Sequence, residues 1–154
     1  MNKVRYGIIG IGKQGSRYAS QLFAGMDKNA VLTAVCDRNE KRRSWAISKF
    51  GDKVKVFDTH EDLLDSGLID ALIIDTPHYE HPIIERKALE RNINVLCDKP
   101  AGVYTKAVRE VAEYAKTERP GVRFGLLYNQ RTSKVYKAAK EIIESGELGN
   151  LKRM

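Results

Sequence analysis

Four prolines and two cysteines are all that the 154 residues contain of either type, and both scarcities exclude possibilities. Cys36 and Cys97 are too few for a disulfide framework, share no Cys-x-x-Cys spacing and form no metal-ligand set. Each closes an apolar run of strand length, where a small buried thiol is common. No apolar stretch is long enough to cross a bilayer, and Met1 to Tyr6 lack an apolar signal region. We therefore expect a cytoplasmic protein with no membrane role. A charge block of one sign is also missing. The net charge is +7, but the 27 Lys and Arg are spread among 20 acids. The densest run, Lys41-Arg42-Arg43, follows Glu40 on an expected helix. Without a basic groove carrying exposed aromatics, a solvated basic surface is expected rather than a nucleic-acid partner.

What is present is a regular alternation. Val4 to Ile9 is an apolar, β-rich run, and Gly15 to Ala24 carries Tyr18, Leu22 and Phe23 at helical spacing. Val31 to Cys36 reads as a strand, Glu40 to Phe50 as a helix closed by Gly51, and Val54 to Phe57 as a short strand. Thr59 fits an N-cap for a short helix from His60 to Leu64. Asp70 to Asp75 is a buried strand, His81 to Arg91 a helix, and Ile93 to Cys97 a fifth strand. Tyr104 to Lys116 is helical, Val122 to Leu127 is a sixth strand, and Ser133 to Ser145 is a last helix with Gly146 at its C-terminal end. Strands that are continuous apolar runs, joined by helices, predict an α/β fold: a Rossmann-type, doubly wound, mainly parallel six-stranded sheet with helices on both faces. No repeat, low-complexity segment or long linker interrupts it, and residues 1–150 are expected to form one domain.

The first strand runs into Gly10-Ile11-Gly12-Lys13-Gln14-Gly15. Glycine triplets are common in turns, but this one follows a strand and opens a helix. Asp37 ends the next strand, about 20 residues further on. In such a turn Gly10 permits the bend, Gly12 lets backbone approach a pyrophosphate, and Gly15 lets helix pack on strand. The helix N-terminus then offers unpaired N–H groups to the phosphates. Asp37 would accept bonds from the adenosine ribose hydroxyls and repel a 2′-phosphate, which favours NAD over NADP. Arg38 leaves NADP possible, since a guanidinium stacks on adenine or pairs with a 2′-phosphate.

Three strand-end segments add specificity: Thr76-Pro77-His78-Tyr79-Glu80-His81, Cys97-Asp98-Lys99-Pro100 and Tyr128-Asn129-Gln130-Arg131. Ser145-Gly146-Glu147-Leu148-Gly149 then ends the last helix. In this order they resemble the Gfo/Idh/MocA family of NAD(P)-dependent oxidoreductases along essentially the whole chain. The resemblance implies that Lys99 hydrogen-bonds the reacting oxygen of the substrate beside the nicotinamide, and that the Lys99–Pro100 peptide is cis. Asp98 stands where the family usually has Glu, near the nicotinamide ribose. Thr76 and Pro77 would line the cofactor cleft, His78 replaces a residue that is often Asn, and His81 matches a histidine at the start of the next helix. Arg131 matches a frequent Arg near the nicotinamide end. From position alone Lys99 is also readable as a solvated strand-end lysine, His81 as a helix cap, and Arg131 as a surface residue.

The resemblance further implies a second domain, an open antiparallel sheet forming the substrate pocket and supplying an acid/base histidine. Residues 151–154 would begin it, so the chain is expected to be one half of an NAD(P)-dependent dehydrogenase acting on a secondary alcohol of a sugar, cyclitol or similar polyol. Alone it would bind cofactor without turnover; the full-length protein would be a homo-oligomer. Two other readings are a non-catalytic NAD(H) sensor, which has no need of Lys99, and a methyltransferase using S-adenosylmethionine. The Thr-Pro and Lys-Pro strand ends fit the methyltransferase poorly.

Overall fold

A computed structural model describes residues 3–152; Met1, Asn2, Arg153 and Met154 lie outside the described residues, and with them part of the expected 151–154 segment. Six strands, β1 (Val4–Ile9), β2 (Ala30–Cys36), β3 (Lys55–Phe57), β4 (Ala71–Ile74), β5 (Asn94–Asp98) and β6 (Phe124–Leu127), form one sheet in the order β3-β2-β1-β4-β5-β6. Every neighbouring pair is parallel. The order reverses beside β1, which opens a crevice at the carboxyl ends of β1 and β4.

The helices are α1 (Lys13–Phe23), α2 (Glu40–Phe50), α3 (His60–Asp65), α4 (His81–Glu90), α5 (Thr105–Thr117) and α6 (Lys134–Glu144). Successive strand residues point to opposite faces, and the two faces bury different helices. Ile8, Val35 and Ile73 pack with Ala19 of α1 and Ala46 and Phe50 of α2. Ile9, Cys36, Ile74 and Cys97 pack with Leu63 of α3, Ile84 and Leu89 of α4, and Val111 of α5. Each such large apolar side chain contributes about 1.5–3 kcal/mol on full burial. This is the doubly wound arrangement expected from the continuous apolar runs. Both thiols are buried among these side chains, as structural filler.

Boundaries differ from the sequence reading where polar contacts decide them. Helix α1 begins at Lys13 rather than Gly15, because first-turn residues need no apolar periodicity and Gly12 already serves as N-cap. Strand β4 is shorter than expected at both ends. Asp70 instead receives the Arg5 backbone N–H at 2.9 Å and its guanidinium Nη2 at 2.7 Å, which sets β1 against β4. Asp75 leaves the ladder for the glycine turn. Thr59 caps α3 as expected, accepting the Asp62 N–H, and Asn39 caps α2. Gly146 takes φ +77° just past α6. Helix α6 buries none of its residues and leaves Val135, Tyr136, Ile142 and Ile143 exposed.

The tightest packing is at Gly15. A methyl group there would lie 1.9 Å from the Gly10 carbonyl oxygen, whereas one at Gly12 would meet only the Arg42 guanidinium, at 3.7 Å. Gly15→Ala is therefore expected to cost more than about 3 kcal/mol in urea unfolding, with Gly12→Ala nearly neutral. Equal effects would show that the turn is not packed this way.

Candidate functional site

The crevice is built around the glycine turn. Gly10 has φ +88°, a conformation that suits glycine. A side chain there would come within 2.3 Å of the Asp75 carbonyl oxygen. Its N–H donates to Cys36 O at 2.8 Å, binding the turn to the end of β2. The N-cap residue, Gly12, has no side chain and the first turn carries no acid; Asp75 Oδ2 accepts the Gly15 N–H, which leaves the N–H groups that precede it at the positive end of this helix. Gln14 turns away: its amide donates to the Tyr18 hydroxyl at 2.9 Å, which also receives Asn129 Nδ2 at 2.9 Å. Glycine turn and β6 end are thereby linked.

Asp37 closes β2 and is 5% exposed. Its Oδ2 accepts the Ile11 N–H at 2.9 Å and Arg42 Nη1 at 3.2 Å, and its Oδ1 accepts the Asn39 N–H at 2.8 Å. A carboxylate offers about four acceptor positions; one stays open here, and a second opens when the half-exposed Arg42 swings away. That matches the two hydroxyls of a ribose. Arg43 Nη1 donates to the carbonyls of Asp37 at 2.9 Å and Arg38 at 2.8 Å, holding the loop after β2 in place. Arg38 crosses to α4, pairing with Glu80 at 3.1 Å. Between them lies a cleft of about 490 Å³, lined by Gly10, Asp37, Arg38, Thr76, Pro77 and neighbouring residues. Small-molecule sites are commonly about 300–1,000 Å³.

At the other side of the switch point His81 joins two strand ends. It is fully buried, with Nδ1 2.8 Å from Pro100 O and Nε2 2.9 Å from Thr76 O. Both partners are carbonyl oxygens, one on each strand-end turn. The ring does not cap α4; it ties the Thr76-Pro77 turn to the Asp98-Lys99-Pro100 turn, whose Lys99–Pro100 peptide is cis. Two acids lie close by. Glu85 lies one turn along α4, 1% exposed with both oxygens unpartnered, and burial raises its carboxyl above the usual range while His81 pulls it down. Burial pushes Asp75 up to about 6; the Gly15 N–H and His81 oppose this, and the Asp98 carboxyl adds to it. Thr76 Oγ1 is buried without a partner.

Gly10, Ile11, Gly12, Lys13, Gly15, Asp37, Arg38, Thr76, Pro77, Asp98 and Lys99 thus all lie along the carboxyl edge of the sheet. Lys99 is exposed and forms no ion pair among the described residues. His78 sits on an exposed turn with its ring 5.7 Å from that of His81. Arg131 follows β6 on a short 3₁₀ turn, exposed and outside the cleft. Sequence reasoning missed Asp75, Glu85, Arg42 and Arg43 as site residues. Glu85 was discoverable, being four residues after His81 on one helical face; Asp75 was not, since only the fold brings it to Gly15.

Comparison with known proteins places this geometry. Residues 4–125 match the model of the Gfo/Idh/MocA oxidoreductase family, NAD-binding Rossmann fold. The chain is 29% identical over 152 residues to the rhizopine catabolism protein MocA of Rhizobium meliloti, covering 98% of this chain and 45% of that protein. It is 31% identical over 147 residues to an inositol 2-dehydrogenase of Salmonella typhimurium, covering 95% of this chain and 43% of that one. Among solved structures it superposes on myo-inositol 2-dehydrogenase from Lactobacillus plantarum with a TM-score of 0.89 at 29% identity, over 97% of this chain and 43% of the other. The chain therefore spans less than half the length of these curated relatives.

Two outcomes test the buried charges. His81→Ala is expected to cost about 3–5 kcal/mol in chemical unfolding, because it strands two carbonyls and Glu85; a cost under about 1 kcal/mol would show that the ring is not the tie. The folded state holds the Asp75 proton more tightly than the unfolded chain, so this contribution is complete below about pH 4 and lost as pH rises through about 6. Asp75→Asn should therefore stabilise the protein at pH 7 by roughly 1–2 kcal/mol relative to its effect at pH 4, read from melting curves at both pH values. A pH-independent effect would refute it.

Proposed function

Because the chain belongs to the Gfo/Idh/MocA oxidoreductase family, whose model is an NAD-binding Rossmann fold, we propose that it is the cofactor-binding half of a dehydrogenase acting on a secondary alcohol of a cyclitol, sugar or similar polyol. The observation that carries the reading is Asp37, buried at the end of β2 beside the N-terminus of α1 and with acceptor capacity still open. When bound, NAD supplies a hydride acceptor for the carbinol carbon. Asp37 takes the adenosine ribose hydroxyls, and the N–H groups opening α1 hold the pyrophosphate. Thr76, Pro77, His78 and Asp98 border the nicotinamide half, with Arg131 approaching from β6. His81 fixes the turn that carries Lys99, whose ammonium holds the alcohol oxygen and passes its proton onward. Lys99 serves as an electrostatic and relay group rather than a sole base.

The rest of the substrate pocket lies, in this reading, in the length by which the relatives exceed this chain. The exposed apolar residues of α6 support a contact with that missing part. The same proposal makes the full protein a cytoplasmic homo-oligomer without nucleic-acid or membrane partners; no helix is long and apolar enough to cross a membrane among the described residues.

Titrating NADH fluorescence with this chain should give saturable binding below about 1 mM, and Asp37→Asn should weaken it at least about tenfold. Absence of saturation would sink the reading. A panel of inositols and hexoses with NAD should yield no NADH from this chain alone; clear turnover would show that no second domain is needed.

A further inference from the structure

The carboxyl ends of β4 and β5 set two acids side by side, and of these the alcohol oxidation above makes no use of Asp75. Ile74 stands opposite Cys97 in the parallel ladder, so the next pair is Asp75 and Asp98. Asp75 is anchored, its Oδ2 accepting the Gly15 N–H in the first turn of α1. It is half-buried between that helix and β5. The groups facing it are Asp98 of β5, His81 from α4, and the Gly15 N–H of α1; β1 is followed by Gly10, which carries no charge. The His81 ring already serves two carbonyls and leaves no N–H for the acid. Burial and the neighbouring Asp98 carboxyl hold the Asp75 carboxyl above the usual carboxylate range, against the Gly15 N–H and His81.

The strand order fixes what lies above them. With Asp37 at the end of β2 holding the adenosine end and the glycine turn the pyrophosphate, the nicotinamide half falls over the ends of β4 and β5. That ring is a cation when oxidised and neutral when reduced. We propose that Asp75, with Asp98 beside it, senses the charge of the nicotinamide, selecting the oxidised cofactor by releasing the Asp75 proton beneath it. This rests on the reading that the crevice binds NAD. A cation over the pair drives the proton off, so binding of NAD⁺ releases it and binding of NADH does not. Affinity for NAD⁺ relative to NADH then rises with pH through about 6, the value to which Asp75 is pushed. The site favours alcohol oxidation at neutral pH and loses that preference on acidification.

The test is calorimetric titration of this chain with NAD⁺, NADH and ADP-ribose at about pH 5.5 and about pH 8. ADP-ribose reports the pyrophosphate and ribose contacts without the nicotinamide. The NADH-to-NAD⁺ ratio of dissociation constants should rise about threefold between the two pH values, and Asp75→Asn and Asp98→Asn should each flatten it. Unchanged ADP-ribose affinity in both variants would confirm that they fold with an intact glycine turn. A ratio that does not move with pH, or a slope that survives in Asp75→Asn, overturns the proposal. So does one common slope for all three ligands, which would place the effect on the pyrophosphate. If NADH binds but the ratio is flat, the NAD reading stands and only the sensor falls; if none of the three binds, both fall.

Discussion

The structure depends on how closely the glycine turn approaches the end of β4. Gly10 leaves no room for a side chain against the Asp75 carbonyl, and Gly15 leaves none against Gly10. These two contacts bring the start of α1 down onto the sheet at the point where the strand order reverses. The helix cannot begin further out, because its first-turn N–H of Gly15 is held by Asp75. The consequence is a positively polarised helix end, held by Asp75 at its Gly15 N–H, lying in the crevice rather than above it. A turn with side chains at Gly10 and Gly15 would lift that end away, and the phosphate-binding geometry would be lost with the packing.

A second constraint follows from bringing strand ends together. The turns after β4 and β5 have carbonyls that no ladder satisfies, and buried carbonyls need donors. One imidazole ring faces two of them, Thr76 O and Pro100 O. Asp75 and Glu85 are buried close to that ring; desolvation raises both carboxyls, and His81 partly offsets the rise. The two acids are thus packed against the same ring that fastens the turn carrying Lys99.

How much of this could be read in the sequence follows from which interactions are local. The strands were legible because continuous apolar runs of β-branched residues between helical stripes admit little else; the parallel sheet and both helix layers came with them, whereas the strand order was supplied by the fold. Thr59 was legible as a cap because capping is a three-residue event. Asp37 was legible because its distance from the glycine turn is set by one strand-helix-strand unit. The true start of α1 was not, since a first helical turn needs no apolar spacing. Asp75 looked like a strand residue, because its role comes from Gly15, distant in sequence and adjacent only in the folded sheet. His81 read equally well as a cap; only the positions of two carbonyls on other elements decide that it is a tie.

The +7 net charge takes on a different meaning along the crevice than it had as a sum. Arg38, Arg42 and Arg43 gather at the end of β2, two of them engaged with Asp37 or its backbone. Asp75 and Asp98 gather at the ends of β4 and β5 beside Lys99, with the N-terminus of α1 between the two groups. Charges of both signs are therefore interleaved along the crevice rather than gathered into one basic face. The arginines are tied down as well: Arg38 pairs with Glu80, and the half-exposed Arg42 neutralises the buried Asp37 carboxylate.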